Sequence, residues 1–519
     1  MKESELALSV VRRFQRARAA RGVWEGHWRD CYDYALPHRS IFSQSVAGSK
    51  RRSHIYDGTA LDAVEQLSAS MMAHLTPPWS RWFGLVVGEE GVDVDDGSIS
   101  TLLQRASMVV QSHFDRSNFA VEMHQCYLDL VVAGTACLMF EEAPTGSPSA
   151  FHFTCVPLRD VVFEAGASGE LDVTLRRRLV TASELHRRYP HVVLPQSYKA
   201  ETKDDDGEAR LALIDMVAPC SDGEGYDYVV VFEEGSGGEN GIVHRGRFYE
   251  SPFITFRWLK TAGELYGRSP VMKALPEIKT ANKVVELILK NASIAVTGIW
   301  QAEDDGVLNP SNVRLVPGTI IPKAVGSRGL TPLEAPGRFD VSQLVLQDLR
   351  ERIRQALLAD RLGPPNRSRM TATEVLERTA DLSRLLGATY GRLQNELLAP
   401  LVRRALGILR RRGEVESIRV DGQLVEVMYH APLARAQRRT DAHDVLLWLE
   451  TVAGMGQTAM AAVNMGATVR WLGERLGVPG SLMVSQIQQD RAQGLLEDVA
   501  TAEAVANVAQ ATQQKEEDS

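Results

Sequence analysis

The sequence has few cysteines and lacks the segments that mark a secreted or membrane-spanning protein. Its five cysteines are an odd number without Cys-x-x-Cys spacing, which favours free thiols in a reducing compartment over a disulfide framework. The N-terminus carries no apolar signal segment, and the longest apolar run, Leu130 to Phe140, is too short to span a bilayer. We therefore expect a soluble, cytoplasmically made protein with no membrane partner.

The sequence also lacks the motifs of common hydrolases. It has no P-loop to bind a triphosphate, no His-Glu-x-x-His pair and no Gly-x-Ser-x-Gly nucleophile turn. Its twelve histidines are scattered, without metal-ligand spacing. One acidic run, Glu303-Asp304-Asp305, could hold a divalent ion, but a turn is the simpler interpretation. We predict that the protein is not an enzyme and has no catalytic residue, cofactor or metal site.

The charged and aromatic clusters could each be ordinary structural features or nucleic-acid contacts. The net charge of −8 argues against a protein that coats nucleic acid non-specifically. Five arginines lie between Arg12 and Arg21, and we favour a solvated helix face over a nucleic-acid contact. The cluster of Trp79, Trp82 and Phe83 is expected in the core or in a subunit contact rather than as a platform for stacked bases.

Hydrophobic periodicity predicts an α+β protein that is mainly helical. Apolar residues recur in steps of three and four over residues 4–36, 59–75 and 436–511, which predicts helices there. Residues 99–140 are expected to form two helices, the second broken at Gly134.

The middle of the chain changes to short alternating runs separated by turn residues, which predicts strands within residues 151–258. A hairpin is predicted over 418–429, with its turn at Asp421-Gly422. The charged tail from Gln513 to Ser519 is expected to be disordered.

Residues 269–361 predict two antiparallel helices, which we call the helix pair. Ser269 can cap the first helix, and Pro270 suits its first position. The first helix, 269–300, carries an apolar stripe of Leu275, Ile278, Ala281, Val285, Ile288 and Ala292. A separate charged stripe contains Lys279, Lys283, Glu286 and Lys290.

The second helix, 340–361, is expected to bury Val341, Val345, Leu349, Ile353 and Ala356 and to stop before Gly363-Pro364-Pro365. The excursion between the helices, 301–339, is rich in Pro and Gly, which predicts a small lobe. After a loop, a third helix runs from a capping box at Thr371 to Arg412, with a bend at Pro400 and an end at Gly413. The helix pair alone would expose too much apolar surface, which is a first indication of an assembly.

Several stretches resemble the head-to-tail connector, or portal, proteins of short-tailed bacteriophages. In chain order they are Tyr56-Asp57-Gly58-Thr59-Ala60, Leu75-Thr76-Pro77-Pro78-Trp79-Ser80-Arg81-Trp82-Phe83, Tyr266-Gly267-Arg268-Ser269-Pro270, Pro336-Gly337-Arg338-Phe339-Asp340 and Met370-Thr371-Ala372-Thr373-Glu374-Val375. They cover most of the chain in order, which makes the resemblance more specific than any single motif. No motif matches after His430.

The resemblance implies a portal architecture whose parts follow the predicted elements. They are a wing at 1–268 that includes the β-rich section 151–258, stem helices at 269–300 and 340–361, a clip at 301–339, a channel loop at 362–370, a long wing helix and hairpin at 371–430, and a crown at 431–519.

The resemblance also implies a function and partners. A ring, typically of twelve subunits, would sit at one capsid vertex of the virion after assembly in the host cytoplasm. Double-stranded DNA would be packaged and ejected through it. The other implied partners are the terminase large subunit, a tail adaptor, and capsid and scaffolding proteins.

Four basic residues are our candidates for the channel wall. A channel through which DNA slides should not bind phosphates tightly, since each neutralised phosphate adds affinity. We hypothesise that Lys283 and Lys290 on the first stem helix and Arg367 and Arg369 in the channel loop face DNA. The alternative is that these charges face solvent or a neighbouring subunit. The alternative functions are another neck or tail ring protein, or a metal-dependent nucleic-acid-processing enzyme.

Overall fold

The computed structural model describes residues 3–39, 55–78, 80–87, 97–166, 169–194, 210–233, 241–297, 300–302, 330–332, 339–359, 387, 389–416, 425–429, 432–456 and 462–476. Its helices are α1 Glu3–Ala35, α2 Thr59–Leu75, α3 Gly97–Asp115, α4 Phe119–Ala133, α5 Ala182–Arg188, α6 Pro270–Thr297, α7 Phe339–Ala356, α8 Ala399–Arg411, α9 Pro432–Gly454 and α10 Met465–Leu476. Its strands are β1 Phe83–Val87, β2 Thr135–Glu142, β3 Phe151–Val156, β4 Val161–Glu164, β5 Val173–Thr181, β6 Arg210–Pro219, β7 Tyr226–Phe232, β8 Ile242–Phe248, β9 Phe253–Arg257, β10 Trp300–Ala302, β11 Leu330–Pro332 and β12 Val425–Tyr429. The predicted α+β class is confirmed.

A five-stranded antiparallel sheet, in the order β4-β5-β6-β7-β8, forms much of the middle section. Helix α1 lies across one of its faces, where Val10 and Phe14 pack against Leu175 and Val229. The strands predicted at β3, β5, β6, β7 and β9 are confirmed, whereas β4, β8 and the short helix α5 were not predicted.

Two of the arginines in the basic stretch correct the prediction of a solvated helix face. Arg13 pairs with Glu164 of β4 at 2.6 Å. Arg21 is buried and donates to the carbonyl oxygens of Leu158 and Val161 at 2.6 and 2.7 Å. These contacts fasten α1 to the sheet. A buried guanidinium needs several hydrogen-bond acceptors, and the carbonyl oxygens at and beside the start of β4 supply them.

A second sheet, β3-β2-β9, lies against α4 and corrects the sequence reading of residues 135–140. Helix α4 ends at Gly134, which adopts a left-handed conformation with φ of 76°. The chain after it is the central strand β2 rather than more helix. The break at Gly134 was predicted correctly, but a buried apolar run has no periodicity that separates strand from helix.

Gly134 and Gly267 touch through their backbones. A Cβ added to Gly267 would lie 2.1 Å from the carbonyl oxygen of Gly134. Ser269, which follows, donates its hydroxyl to the carbonyl oxygen of Val132 at 2.8 Å and accepts from the Met272 N–H at 2.9 Å. The stretch 266–270 therefore fixes the start of α6 against the end of α4, and the close backbone approach leaves no room for a side chain at Gly267.

Strand β12 pairs antiparallel with β1, joining Phe83 to Tyr429. This long-range pairing was not predicted from sequence. The other half of the predicted hairpin, with Asp421-Gly422, lies outside the described residues. Trp82 and Phe83 are buried among Phe114 and Phe119, so their predicted place in the core is confirmed, while Trp79 lies outside the described residues.

The helix that ends in α8 contains a π-helical turn, Gln394–Leu398, which ends two residues before Pro400. Proline has no N–H, so Pro400 cannot donate the usual hydrogen bond to the residue four positions earlier. Just before it, the N–H of Ala399 bonds five positions back, to the carbonyl oxygen of Gln394. The turn directs Glu396 toward Arg257, with a closest contact of 2.6 Å. The sequence predicted a bend at Pro400, and the structure has the π-helical turn next to it. The predicted helix end at Gly413 is confirmed.

Candidate functional site: the helix pair

Helices α6 and α7 pack against each other and form the predicted helix pair. Strands β10 and β11 pair antiparallel beyond the end of α6, with Trp300 opposite Pro332, and this pairing returns the chain toward α7. The N-terminal half of α6 is anchored in the core through Val271, Ala274 and Ile278. The rest of the lobe between the helices, including Glu303-Asp304-Asp305, lies outside the described residues.

The predicted apolar stripe of α6 is confirmed. Leu275, Ile278 and Ala281 are buried, and Val285 and Ile288 are half-buried against the same core. The helix continues through Pro276.

The predicted apolar face of α7 is only partly correct. Ile353 is buried and Leu349 half-buried, but Val345 is exposed and Leu346 takes its place in the core. The buried face follows Leu346, Leu349, Ile353 and Leu357, in steps of three and four, so it is rotated by one residue from the predicted stripe at its start.

Helix α7 ends at Ala356 rather than at the predicted 361. Leu357 is fully buried, and Leu358 adopts a left-handed conformation with φ of 56°. Burial of the Leu357 side chain therefore coincides with a turn that ends the helix before Gly363-Pro364-Pro365 can act as a breaker. A left-handed leucine is rare and costly, so surrounding packing must hold it.

Apolar side chains remain exposed along the half of the helix pair nearer the lobe. Leu287 and Leu289 on α6 are each 53% exposed, and Leu344 and Val345 on α7 are 71% and 46% exposed. Leu287, Leu289 and Leu344 lie outside the predicted apolar stripes, whereas Val345 belongs to the predicted stripe of α7 and was expected to be buried.

The base of the helix pair is tied to the start of α2 by polar contacts. Arg350 of α7 donates to the Asp57 carboxylate at 2.8 Å, and the Asn282 side chain of α6 accepts from the N–H of Tyr56 at 2.7 Å. Burial raises the pKa of Asp57, but hydrogen bonds from Thr59 and Arg350 outweigh it and hold that pKa below its ordinary value. The motif at residues 56–60 therefore connects the start of α2 to both helices of the helix pair.

The charged stripe on α6 divides into two parts. Lys279 donates to Asp30 of α1 at 2.6 Å and lies over the Tyr34 ring, so it fastens α6 to α1. Lys283 and Lys290 extend into solvent, and both donate to Glu286, at 3.0 and 2.6 Å. These hydrogen bonds lower the pKa of Glu286 and raise the pKa of Lys290.

Of the four predicted channel residues, Lys283 and Lys290 share one exposed surface of α6. Arg367 and Arg369 lie outside the described residues, so the predicted meeting of loop and stem charges stays a prediction. Within the described ranges, no group of three or more His, Cys, Asp and Glu side chains could hold a metal ion.

The family model for the bacteriophage head to tail connecting protein matches residues 8–484, which is most of the chain. The chain belongs to this family. Membership confirms the resemblance drawn from the motifs, and with it the function of a phage portal, or head-to-tail connector, and a location in the virion. It does not favour the enzyme alternative.

Curated relatives agree. The chain is 23% identical to the portal protein of Salmonella phage epsilon15, over 94% of this chain and 90% of that protein. It is 25% identical to a probable portal protein of Bordetella phage BPP-1, over 77% and 73%. Among solved structures, the neck of a native gene transfer agent particle is 14% identical, over 80% of this chain and 91% of that chain, with a TM-score of 0.35.

Proposed function

We propose that the chain forms a closed ring through its helix pair and that double-stranded DNA passes through the centre of this ring. The observation that carries the proposal is the apolar surface left uncovered along α6 and α7. Leu287, Leu289, Leu344 and Val345 are large side chains that water solvates poorly. Packing against neighbouring copies would cover them.

The positions of these residues fit a ring rather than a two-fold dimer. Leu287 and Leu289 are two residues apart on α6, so at 3.6 residues per turn their side chains point about 160° away from each other. A ring subunit needs two different contact surfaces, one for each neighbour, whereas a two-fold dimer needs one. The helix pair offers apolar residues on opposite sides, as a ring requires.

We assign the parts of the portal from the family resemblance. The stem is formed by α6 and α7, within residues 269–300 and 340–361, and the clip by residues 301–339. The N-terminal helices with both sheets are the wing, 362–370 is the channel loop, and α9 and α10 belong to the crown. Twelve copies are expected from the family resemblance.

We assign each binding partner to a part of the portal according to where that part lies in the ring. The clip would bind the terminase large subunit during packaging and a tail adaptor afterwards, while the wing would contact capsid and scaffolding proteins. The ring would assemble in the host cytoplasm and act as a conduit, with ATP hydrolysis supplied by the terminase. In the part of the chain that the structure describes, no helix is both long and apolar enough to cross a membrane.

Negative-stain electron microscopy of the purified chain tests the proposal. Wild-type protein should give rings with a central hole wide enough for duplex DNA and about twelve-fold symmetry. Leu344→Glu should shift the population to open or smaller species, because it puts a charge into an apolar subunit contact. Val23→Glu, at a residue that is 86% exposed on α1, is the matched control and should still form rings.

Two outcomes would overturn the proposal. One is a wild-type protein that stays monomeric or dimeric at high concentration. The other is a Leu344→Glu variant that closes rings as completely as Val23→Glu. Cleavage of plasmid DNA that depends on an added divalent metal would instead support the enzyme alternative, and we expect none.

A further inference from the structure

Glu286 has an unusual position on the charged side of the stem. Its two carboxylate oxygens bond to different lysines, Oε2 to Lys283 at 3.0 Å and Oε1 to Lys290 at 2.6 Å. The lysine side chains are 61% and 63% exposed, while that of Glu286 is only 18% exposed. One largely covered carboxylate thus holds two ammonium groups that otherwise reach into solvent.

We infer that Glu286 limits how firmly the channel binds DNA by competing with phosphate for Lys283 and Lys290. This inference rests on the proposed function, in which DNA passes through the ring, together with the hypothesis that these lysines face the DNA. An ammonium group that neutralises a phosphate must first leave its carboxylate, or share it, and the three groups together carry one positive charge rather than two. Since a ring repeats the group in every subunit, the restraint is multiplied around the channel.

Counterion release gives the physical basis. Each phosphate that a lysine neutralises releases condensed ions, so binding becomes both tighter and more dependent on salt. A channel that binds strongly in every subunit would resist sliding. The carboxylate keeps the positive charge that attracts the duplex while weakening each individual contact.

The contacts of Glu286 also have a simpler role, because pairs of opposite charge three and four residues apart stabilise a helix modestly. The two roles predict opposite results. If the carboxylate only supports α6, its removal should leave DNA binding unchanged or weaken it. If it competes with phosphate, its removal should strengthen DNA binding.

The experiment measures DNA binding by assembled rings as a function of salt, using a short linear duplex and a closed circular plasmid as probes. Only the linear duplex can thread into a closed ring, so the difference between the probes reports the channel. Glu286→Gln should bind the linear duplex several-fold more tightly, and its slope of log affinity against log salt should become steeper by up to about 0.9 for each lysine freed. The Lys283→Gln/Lys290→Gln double variant should bind more weakly with a shallower slope.

Glu351→Gln is the matched control, since it removes the same charge from an exposed position on the adjacent helix α7. It should change binding much less than Glu286→Gln. Electron microscopy of each variant shows whether its rings are intact.

The outcomes separate the inference from the proposed function. If the double lysine variant weakens binding but Glu286→Gln does not strengthen it, the inference is wrong and the channel assignment stands. An equal gain for Glu286→Gln and Glu351→Gln would also overturn it, because the effect would then be one of general charge. If intact rings of the double lysine variant bind linear DNA as the wild type does, the lysines do not face DNA and the inference fails, while the ring proposal, which electron microscopy tests separately, stands.

Discussion

Asp129 is the centre of a buried polar network in the N-terminal part of the protein. Its carboxylate accepts from the Tyr32 hydroxyl at 2.7 Å and from Arg39 at 2.9 and 2.8 Å. Burial raises the pKa of Tyr32, and the neighbouring carboxylate raises it further. The network joins α1 and the turn after it to α4, two elements far apart in sequence.

Removing the charge of Asp129 should therefore destabilise the fold. Asp129→Asn leaves the Arg39 guanidinium without a counter-charge, and breaking a buried ion pair in this way costs about 3 kcal/mol of unfolding free energy. Asp348→Asn is the control, because its pair with Arg352 is exposed on α7 and such pairs contribute less than about 1 kcal/mol. Urea unfolding of both variants measures the difference, and equal stability would contradict the role given to Asp129.

Composition predicted that the cysteines are free thiols, but it did not predict their reactivity. All five are free, as expected from their odd number and spacing. Burial raises the pKa of Cys31 and of Cys137 to about 12, which makes these thiols poor nucleophiles. Composition predicted the thiol state, but which thiols are unreactive depends on the core around them.

At the scale of single elements, the end of the long helix depends on Gly413. Its φ is 72°, and the N–H of Glu414, the next residue, bonds to the carbonyl oxygen of Leu409 at 3.0 Å. This is a Schellman end, in which glycine carries no Cβ penalty. A Cβ at Gly413 would meet no atom within 4 Å, so only the backbone conformation opposes a side chain there.

Two glycine substitutions in this helix should have opposite effects. Gly413→Ala should lower the free energy of unfolding by about 1 kcal/mol, since the Cβ of alanine makes the left-handed backbone conformation unfavourable. Gly391→Ala should raise it by up to about 1 kcal/mol, because Gly391 is helical with open space at its Cβ. Thermal denaturation compares the pair, and a shift of the same sign in both would contradict this account.

Elements were predictable where local signals agreed. Ser269 and Pro270 predicted the start of α6, and the hydroxyl of Ser269 caps the helix as expected. The prediction failed where burial decided the outcome. Leu357 enters the core and α7 ends there, although nothing in the local sequence stops a helix before Gly363.

At the scale of the whole molecule, the channel loop is expected to contact DNA independently of assembly. Arg367→Ala/Arg369→Ala should leave rings intact, because the subunit contacts proposed for the helix pair lie elsewhere. DNA retention in filled particles should change, since up to two charges are lost from each subunit. Measuring particle assembly and retained DNA checks this, and unchanged packaging and retention would remove both arginines from the channel wall.

The family, the order of most helices and strands, and the existence of the helix pair were predictable from the residues alone. These follow from local periodicity, cap and breaker residues and from motifs that are continuous in the chain. Three features became visible in the folded protein alone: β1 pairs with β12, Arg21 is buried rather than exposed, and Glu286 is shared by two lysines. Pairing partners, burial and the choice among neighbouring charges depend on which distant residues the fold brings together.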